Sequence, residues 1–269
     1  MSDVLVFIEH RNDRVIRACK QILGFFSLAS DTKKFKIFAF IYGERIDQDV
    51  YDELSELGVC EVFSAIDENL SHYNPEIIMP FFKNVILPLH PQYILLSNTA
   101  IGKDLAPRLA QEFSAEMISD VTDITLKRKQ LLFTRPIYGG KIFETIQPQN
   151  RAFVTIRANF SEETDRIRKN DMNISYVTAK RTKDLMYILK DAINKRDETK
   201  ILTESEIIVC GGGGMKSAKN FMMLEELADL LGASVGASRA AVDAGYISRS
   251  ALIGQTGKRV NPKLYLSFG

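Results

Sequence analysis

The first half of the chain alternates short apolar runs with stretches whose apolar residues recur at helical spacing. Val4 to Ile8 is continuously apolar, the pattern of a strand buried on both faces. Ile16, Cys19, Leu23 and Phe26 then mark one face of a helix. Phe35 to Tyr42 predicts a second strand, ended by Gly43. Val50, Leu54 and Leu57 predict a helix with Asp47 as N-cap and Gly58 as its stop. Val59 to Phe63 is a third strand, Pro75 to Leu89 an apolar helix, Tyr93 to Ser97 a fourth strand and Lys103 to Phe113 another helix. Pro80 suits only a first helical turn, which leaves the start of its helix open. Such alternation predicts a parallel sheet with helices on both faces and right-handed crossovers.

The rhythm changes after Met117. Met117 to Leu126, Leu131 to Tyr138, Lys141 to Ile146 and Arg151 to Arg157 are strand-like runs separated by short turns, with Gly139-Gly140 as a hairpin signal. They predict an antiparallel extension of the first sheet. Ser161 to Glu206 is rich in charge, including Arg166, Arg168, Lys169, Lys180, Arg181 and Lys183. Acidic residues alternate with these and aromatics are sparse, so the stretch reads as a solvated connection and not as a nucleic-acid surface. The domain boundary is placed near Lys200, giving 1–199 as an α/β domain with extension and linker, and 200–269 as a second domain.

That second domain opens with Ile207 to Cys210, a buried-type strand, followed by the glycines Gly211 to Gly214. Phe221, Leu224, Ala228 and Leu231 recur at helical spacing, with Ser217 as N-cap and Gly232 as C-terminal stop. Ala233 to Ala237 predicts the next strand. The loops of such a unit gather at the carboxyl ends of its strands, where open α/β sheets bind ligands. Tyr265 to Phe268 predicts a last strand.

Composition changes this picture little. The chain of 269 residues, 45% hydrophobic, is long enough for two cores. With 35 basic and 34 acidic residues, no polyanion or membrane surface is called for as partner. Cys19, Cys60 and Cys210 stand far apart without metal spacing, which points to a reduced, cytoplasmic setting. The first strand begins by Val4, with no room for a leader before it, and no apolar run reaches membrane-spanning length.

The glycine-rich loop fails the commoner phosphate-binding patterns. A P-loop needs glycine where Met215 and Cys210 stand, and Gly257-Lys258 is followed by Arg259 where a hydroxyl should hold magnesium. The dinucleotide fingerprint ends here in Ser217, and the acidic residue expected after the following strand is replaced by Ser238-Arg239. Glycines still permit close backbone approach, and a helix N-terminus still attracts phosphate. Arg239 directly follows a strand, and Gln255 and Thr256 lie between Gly254 and Gly257. Hydroxyls, an amide, a guanidinium and free backbone N–H groups together suit a ligand with carbonyls, ring nitrogens and phosphates.

The runs Gly236-Ala-Ser-Arg-Ala-Ala-Val-Asp-Ala-Gly245, Ile253-Gly-Gln-Thr-Gly-Lys258 and Pro262-Lys-Leu-Tyr-Leu266 resemble the flavin domain of the electron transfer flavoprotein alpha subunit family. Gly102-Lys-Asp-Leu-Ala-Pro-Arg-Leu-Ala110 and Thr134-Arg-Pro-Ile-Tyr-Gly-Gly140 resemble that family's N-terminal domain. The resemblance implies an α/β fold: an N-terminal Rossmann-like parallel sheet with an antiparallel extension, then a second, incomplete doubly wound flavin-binding domain. It implies FAD, a heterodimer with an electron transfer flavoprotein beta subunit, and electron carriage from flavin dehydrogenases such as acyl-CoA dehydrogenases to a downstream acceptor. Such a protein is an electron carrier more than an enzyme with its own substrate. Carried over by residue, Ser238 is a cofactor contact, Arg239 lies beside the isoalloxazine ring and Thr256 approaches its N5. Gln255, Gly254 and Ile253 form the rest of that loop. In the family's usual sequence an arginine serving the cofactor's phosphates stands where this chain has Gly213. A Gly-Ile-Ser-Gly-Ala-Ile-Gln-His-like segment also follows the position of Gly269, supplying further FAD contacts. The alternative reading is a non-redox interaction or adenine-nucleotide-binding protein of the same fold.

Overall fold

The computed structural model describes residues 2–30, 35–127, 130–158, 160, 171–180, 185, 202–203, 205–254 and 256–269. The chain divides into two compact units, Met1–Lys190 and Asp191–Gly269. The boundary expected at Lys200 lies outside the described residues, as do Arg166, Arg168, Lys169, Arg181 and Lys183 of the expected connection.

The larger unit begins with β1 (Ser2–Phe7), a hairpin of β2 (His10–Arg11) and β3 (Arg14–Val15), α1 (Arg17–Ser30), β4 (Phe35–Gly43) and α2 (Gln48–Glu56). It continues through β5 (Glu61–Ile66), α3 (Pro75–Leu89), β6 (Tyr93–Ser97), α4 (Ala100–Glu112) and β7 (Glu116–Val121). Then come β8 (Asp123–Lys127), β9 (Gln130–Ile137), β10 (Ile142–Ile146), β11 (Ala152–Ile156) and β12 (Asn173–Val177). A seven-stranded sheet runs in the order β12-β5-β4-β1-β6-β11-β7, with every neighbouring pair parallel. The pleat of β1 divides its side chains between two cores. Val4 and Val6 meet Cys19, Ile22 and Phe26 of α1, whereas Leu5 and Phe7 belong with Ile78 and Phe82 of α3 and Leu105 of α4. Thr99 accepts a bond from the Gly102 amide and starts α4 earlier than Lys103.

The antiparallel extension is a separate three-stranded sheet, β10-β9-β8. The run Arg151 to Arg157 does not belong to it: β11 lies parallel between β6 and β7. All of Ala152–Ile156 is buried, and a strand covered on both faces is suited to the interior of a parallel sheet. The stretch read as a connection contributes β12, a parallel edge strand beside β5. Pro80 sits inside α3 and not in its first turn, which belongs to Pro75 after the Asn74 cap. A helix-interior proline costs about 3 kcal/mol. The burial of Ile78, Phe81, Phe82, Val85 and Ile86 offsets that, at roughly 1.5–3 kcal/mol for each large apolar side chain.

The smaller unit comprises β13 (Ile207–Gly211), α5 (Ala218–Leu231), β14 (Ser234–Ala237), the single-turn α6 (Arg239–Asp243) and β15 (Leu264–Phe268). Its three-stranded sheet is parallel in the order β14-β13-β15. Ser217 accepts a bond from the Asn220 amide, and Gly232 closes α5 in the left-handed region at φ 62°. Phe221, Leu224 and Ala228 are buried, while Leu231 is partly exposed. Gly211 permits the close approach of α5, since a Cβ there would lie 2.5 Å from Phe221 Cζ. On β15, Leu264, Tyr265 and Phe268 are exposed. Among the described residues no helix is long and apolar enough to cross a membrane.

Candidate functional site

The carboxyl ends of β13 and β14 bring three loops together. The Ser238 amide donates to Gly211 O at 3.0 Å, tying the start of α6 to the end of β13. The Ile253 amide donates to Ala237 O at 3.0 Å, setting the third loop against the end of β14. A Cβ on Gly236 would lie 2.2 Å from Ile253 Cδ1, so the Ile253 side chain packs directly over that glycine. The glycine loop turns through a short 3-10 segment, Gly213–Met215, and a Cβ at Gly213 would meet Ala240 Cβ at 3.4 Å. Ser238, Arg239, Ile253, Gly254 and the glycine loop therefore share one edge of the sheet, although they are far apart in sequence.

Ser238, Arg239, Ile253 and Gly254 have definite local roles. Ser238 caps α6 by accepting from the Ala241 amide, a role that leaves its O–H free to donate outward. Arg239 is exposed at the first position of α6, with Nε 3.2 Å from Asp243 Oδ2. Gly254 has φ +126°, a conformation that side chains rarely adopt. Its loop closes through the backbone: the Gly254 amide donates to Lys258 O, the Gly257 amide to Gly254 O and the Lys258 amide to Leu252 O. Thr256 stands exposed on that loop, and among the described residues no hydrogen bond joins it to Arg239. Gln255 lies outside the described residues.

Beneath the glycine loop, burial pushes the Cys210 thiol above its ordinary value, while a hydrogen bond with Tyr265 pulls the other way. Burial, followed by the same Cys210 contact, raises Tyr265. Asp243 was not among the predicted site residues. Its position four residues after Arg239 carried the signal. Among the described residues no group of three or more His, Cys, Asp or Glu is arranged to hold a metal ion.

This edge fits a flavin nucleotide by the chemistry of its groups. Gly213, Gly214, Arg239, Gly254 and Thr256 are all exposed along it. Arg239 offers a fixed cation whose present partner is a solvent-exposed carboxylate, and Ser238 offers a hydroxyl donor. The glycine loop leads to the N-terminus of α5, where a negatively charged group is favoured.

Residues 4–182 match the family model described as electron transfer flavoprotein domain, and residues 201–269 match electron transfer flavoprotein FAD-binding domain. The electron transfer flavoprotein subunit alpha of Bacillus subtilis is 37% identical over 235 residues, covering 87% of this chain and 72% of that protein. The subunit of the same name from Thermoanaerobacterium thermosaccharolyticum is 34% identical over 277 residues, covering 100% of this chain and 82% of that protein. Protein FixB of Clostridium saccharobutylicum is 32% identical over 271 residues, covering 99% and 80%. With one family domain matched in each unit and a subunit alpha aligned across the whole of this chain, this chain belongs to the electron transfer flavoprotein alpha subunit family.

Proposed function

We propose that this chain is the FAD-holding alpha subunit of a cytoplasmic electron transfer flavoprotein. It works as a heterodimer with a beta subunit and carries electrons from flavin dehydrogenases, such as acyl-CoA dehydrogenases, to a downstream acceptor. The observation that carries this reading is the meeting of the glycine loop, Ser238-Arg239 and Ile253-Gly254 at the carboxyl ends of β13 and β14. That meeting falls within the region matched by the FAD-binding family model.

When bound, the flavin supplies the redox chemistry, accepting and releasing electrons at its ring. The chain's own residues bind and tune it. The glycine loop and the start of α5 take the phosphates, since exposed glycines let backbone N–H groups approach closely. Ser238 donates its hydroxyl hydrogen to an acceptor on the cofactor. Arg239 would supply a permanent positive charge next to the bound flavin, which would favour added negative charge there. A preference of about 1.4 kcal/mol corresponds to roughly 59 mV for one electron. Thr256 would offer its hydroxyl to the ring, carried on the loop that Ile253 and Gly254 begin, with Gln255 as a further expected contact.

Co-expression with a beta subunit and measurement of the visible spectrum test the proposal. A yellow complex with flavin absorption, which dehydrogenases reduce in the presence of their substrates, is the expected result. A colourless complex that takes up no added FAD would refute it.

A further inference from the structure

Arg239 and Asp243 form a pair that helix stability does not explain. Their side chains are 67% and 64% exposed, and an exposed pair of this kind contributes little to folding. Its order is also the unfavourable one. A cation at the first residue of a helix and an anion at its last oppose the macrodipole. A basic residue ahead of an acidic one is the weaker arrangement at this spacing. α6 is held instead by the Ser238 cap and by Ala241, which is buried in the core of the smaller unit. Asp243 approaches the Nε edge of the guanidinium, and among the described residues no hydrogen bond engages its two terminal amino groups.

We propose that Asp243 is a positioning residue that holds Arg239 by its Nε edge, presents the remaining donors to the cofactor and partly neutralises the guanidinium, thereby setting the reduction potential of the flavin. The inference rests on the flavin reading given above. An electron accepted by the ring leaves negative charge there, and a nearby guanidinium favours that state. A carboxylate 3.2 Å from the guanidinium opposes part of this effect. The opposition grows once ligand and partner cover the pair and exclude water.

The test uses the complete chain with its beta subunit, loaded with FAD and reduced by dithionite against a reference dye. FAD uptake by the wild-type complex is established first, and its absence would overturn the flavin reading itself. Asp243→Asn retains an oxygen acceptor for Nε but removes the charge. It is expected to shift the one-electron equilibrium about tenfold toward reduction, roughly 59 mV upward. FAD affinity, read by flavin fluorescence quenching, is followed in parallel so that the potential is compared only between fully loaded complexes. Asp243→Glu should restore the wild-type potential, and Arg239→Gln should lower it. A merely structural role for Asp243 would not raise the potential. The inference fails if Asp243→Asn leaves the potential unchanged or lowers it while Arg239→Gln shifts it. It fails equally if Arg239→Gln has no effect, because the guanidinium would then not act on the ring.

Discussion

Replacing Gly213 with arginine tests how the glycine loop meets the cofactor. A Cβ on Gly214 would lie 2.7 Å from Gly269 C, and one on Gly211 would lie 2.5 Å from Phe221 Cζ. A Cβ on Gly213 meets only Ala240 Cβ, at an ordinary contact of 3.4 Å, and the residue does not have a positive φ. Gly213 is thus a loop glycine that can accept a side chain without backbone movement, and the family resemblance makes arginine the replacement to test. One charge-assisted hydrogen bond to a phosphate is worth about 1.5–3 kcal/mol. Gly213→Arg should therefore bind FAD about 10- to 150-fold more tightly than the wild type. Loss of glycine's freedom in the unfolded chain should add about 0.4–1 kcal/mol of stability. Flavin fluorescence quenching measures the affinity, and repetition at high salt separates the ionic part, which screening weakens. Gly213→Ala is the control and should gain stability without gaining affinity. An unchanged dissociation constant in folded Gly213→Arg, or an equal gain in Gly213→Ala, would refute the reasoning.

Gly102→Ala should destabilise the larger unit by about 1–3 kcal/mol in urea unfolding, because a Cβ there falls 1.9 Å from Ser97 O. Burial first, and the Glu9 charge second, hold the Tyr42 phenol above its ordinary range. The unfolded chain releases that proton near pH ~10 while the folded chain keeps it, so stability present at neutral pH declines as pH climbs past that point. Tyr42→Phe should flatten this alkaline decline, as followed by thermal unfolding between neutral and strongly alkaline pH. Cys60 is half-buried, whereas Cys19 and Cys210 are buried. A thiol reagent should modify Cys60 first in the native chain, and mass spectrometry of timed digests would reveal any other order.

Much of the architecture was legible because it is written in burial. Val4 to Ile8, Tyr93 to Leu96 and Ile207 to Cys210 are apolar without interruption, and each marks a strand inside a parallel sheet. Ser217 and Gly232 marked the ends of α5 because caps depend on local backbone chemistry. Strand direction was less accessible. Ala152–Ile156 reads as a strand on its own, but its parallel place between β6 and β7 depends on partners distant in sequence. β12 was missed because an edge strand leaves Asn173, Ile174 and Tyr176 exposed and lacks the apolar signature of its interior neighbours. At the candidate site, sequence supplied the chemical groups, whereas the bonds from Ser238 to Gly211 and from Ile253 to Ala237 supplied their proximity.

The placement of β13 between β14 and β15 has a kinetic consequence during synthesis. Its first neighbour follows after a single helix, but Gly211 must wait for Phe268 before its other side is paired. At roughly 5–20 residues per second, that leaves an apolar strand half-zippered for several seconds on the ribosome. A nascent chain caught in this interval offers a sticky edge to chaperones and to other unfinished chains alike, and slower translation of the intervening codons would prolong its vulnerability.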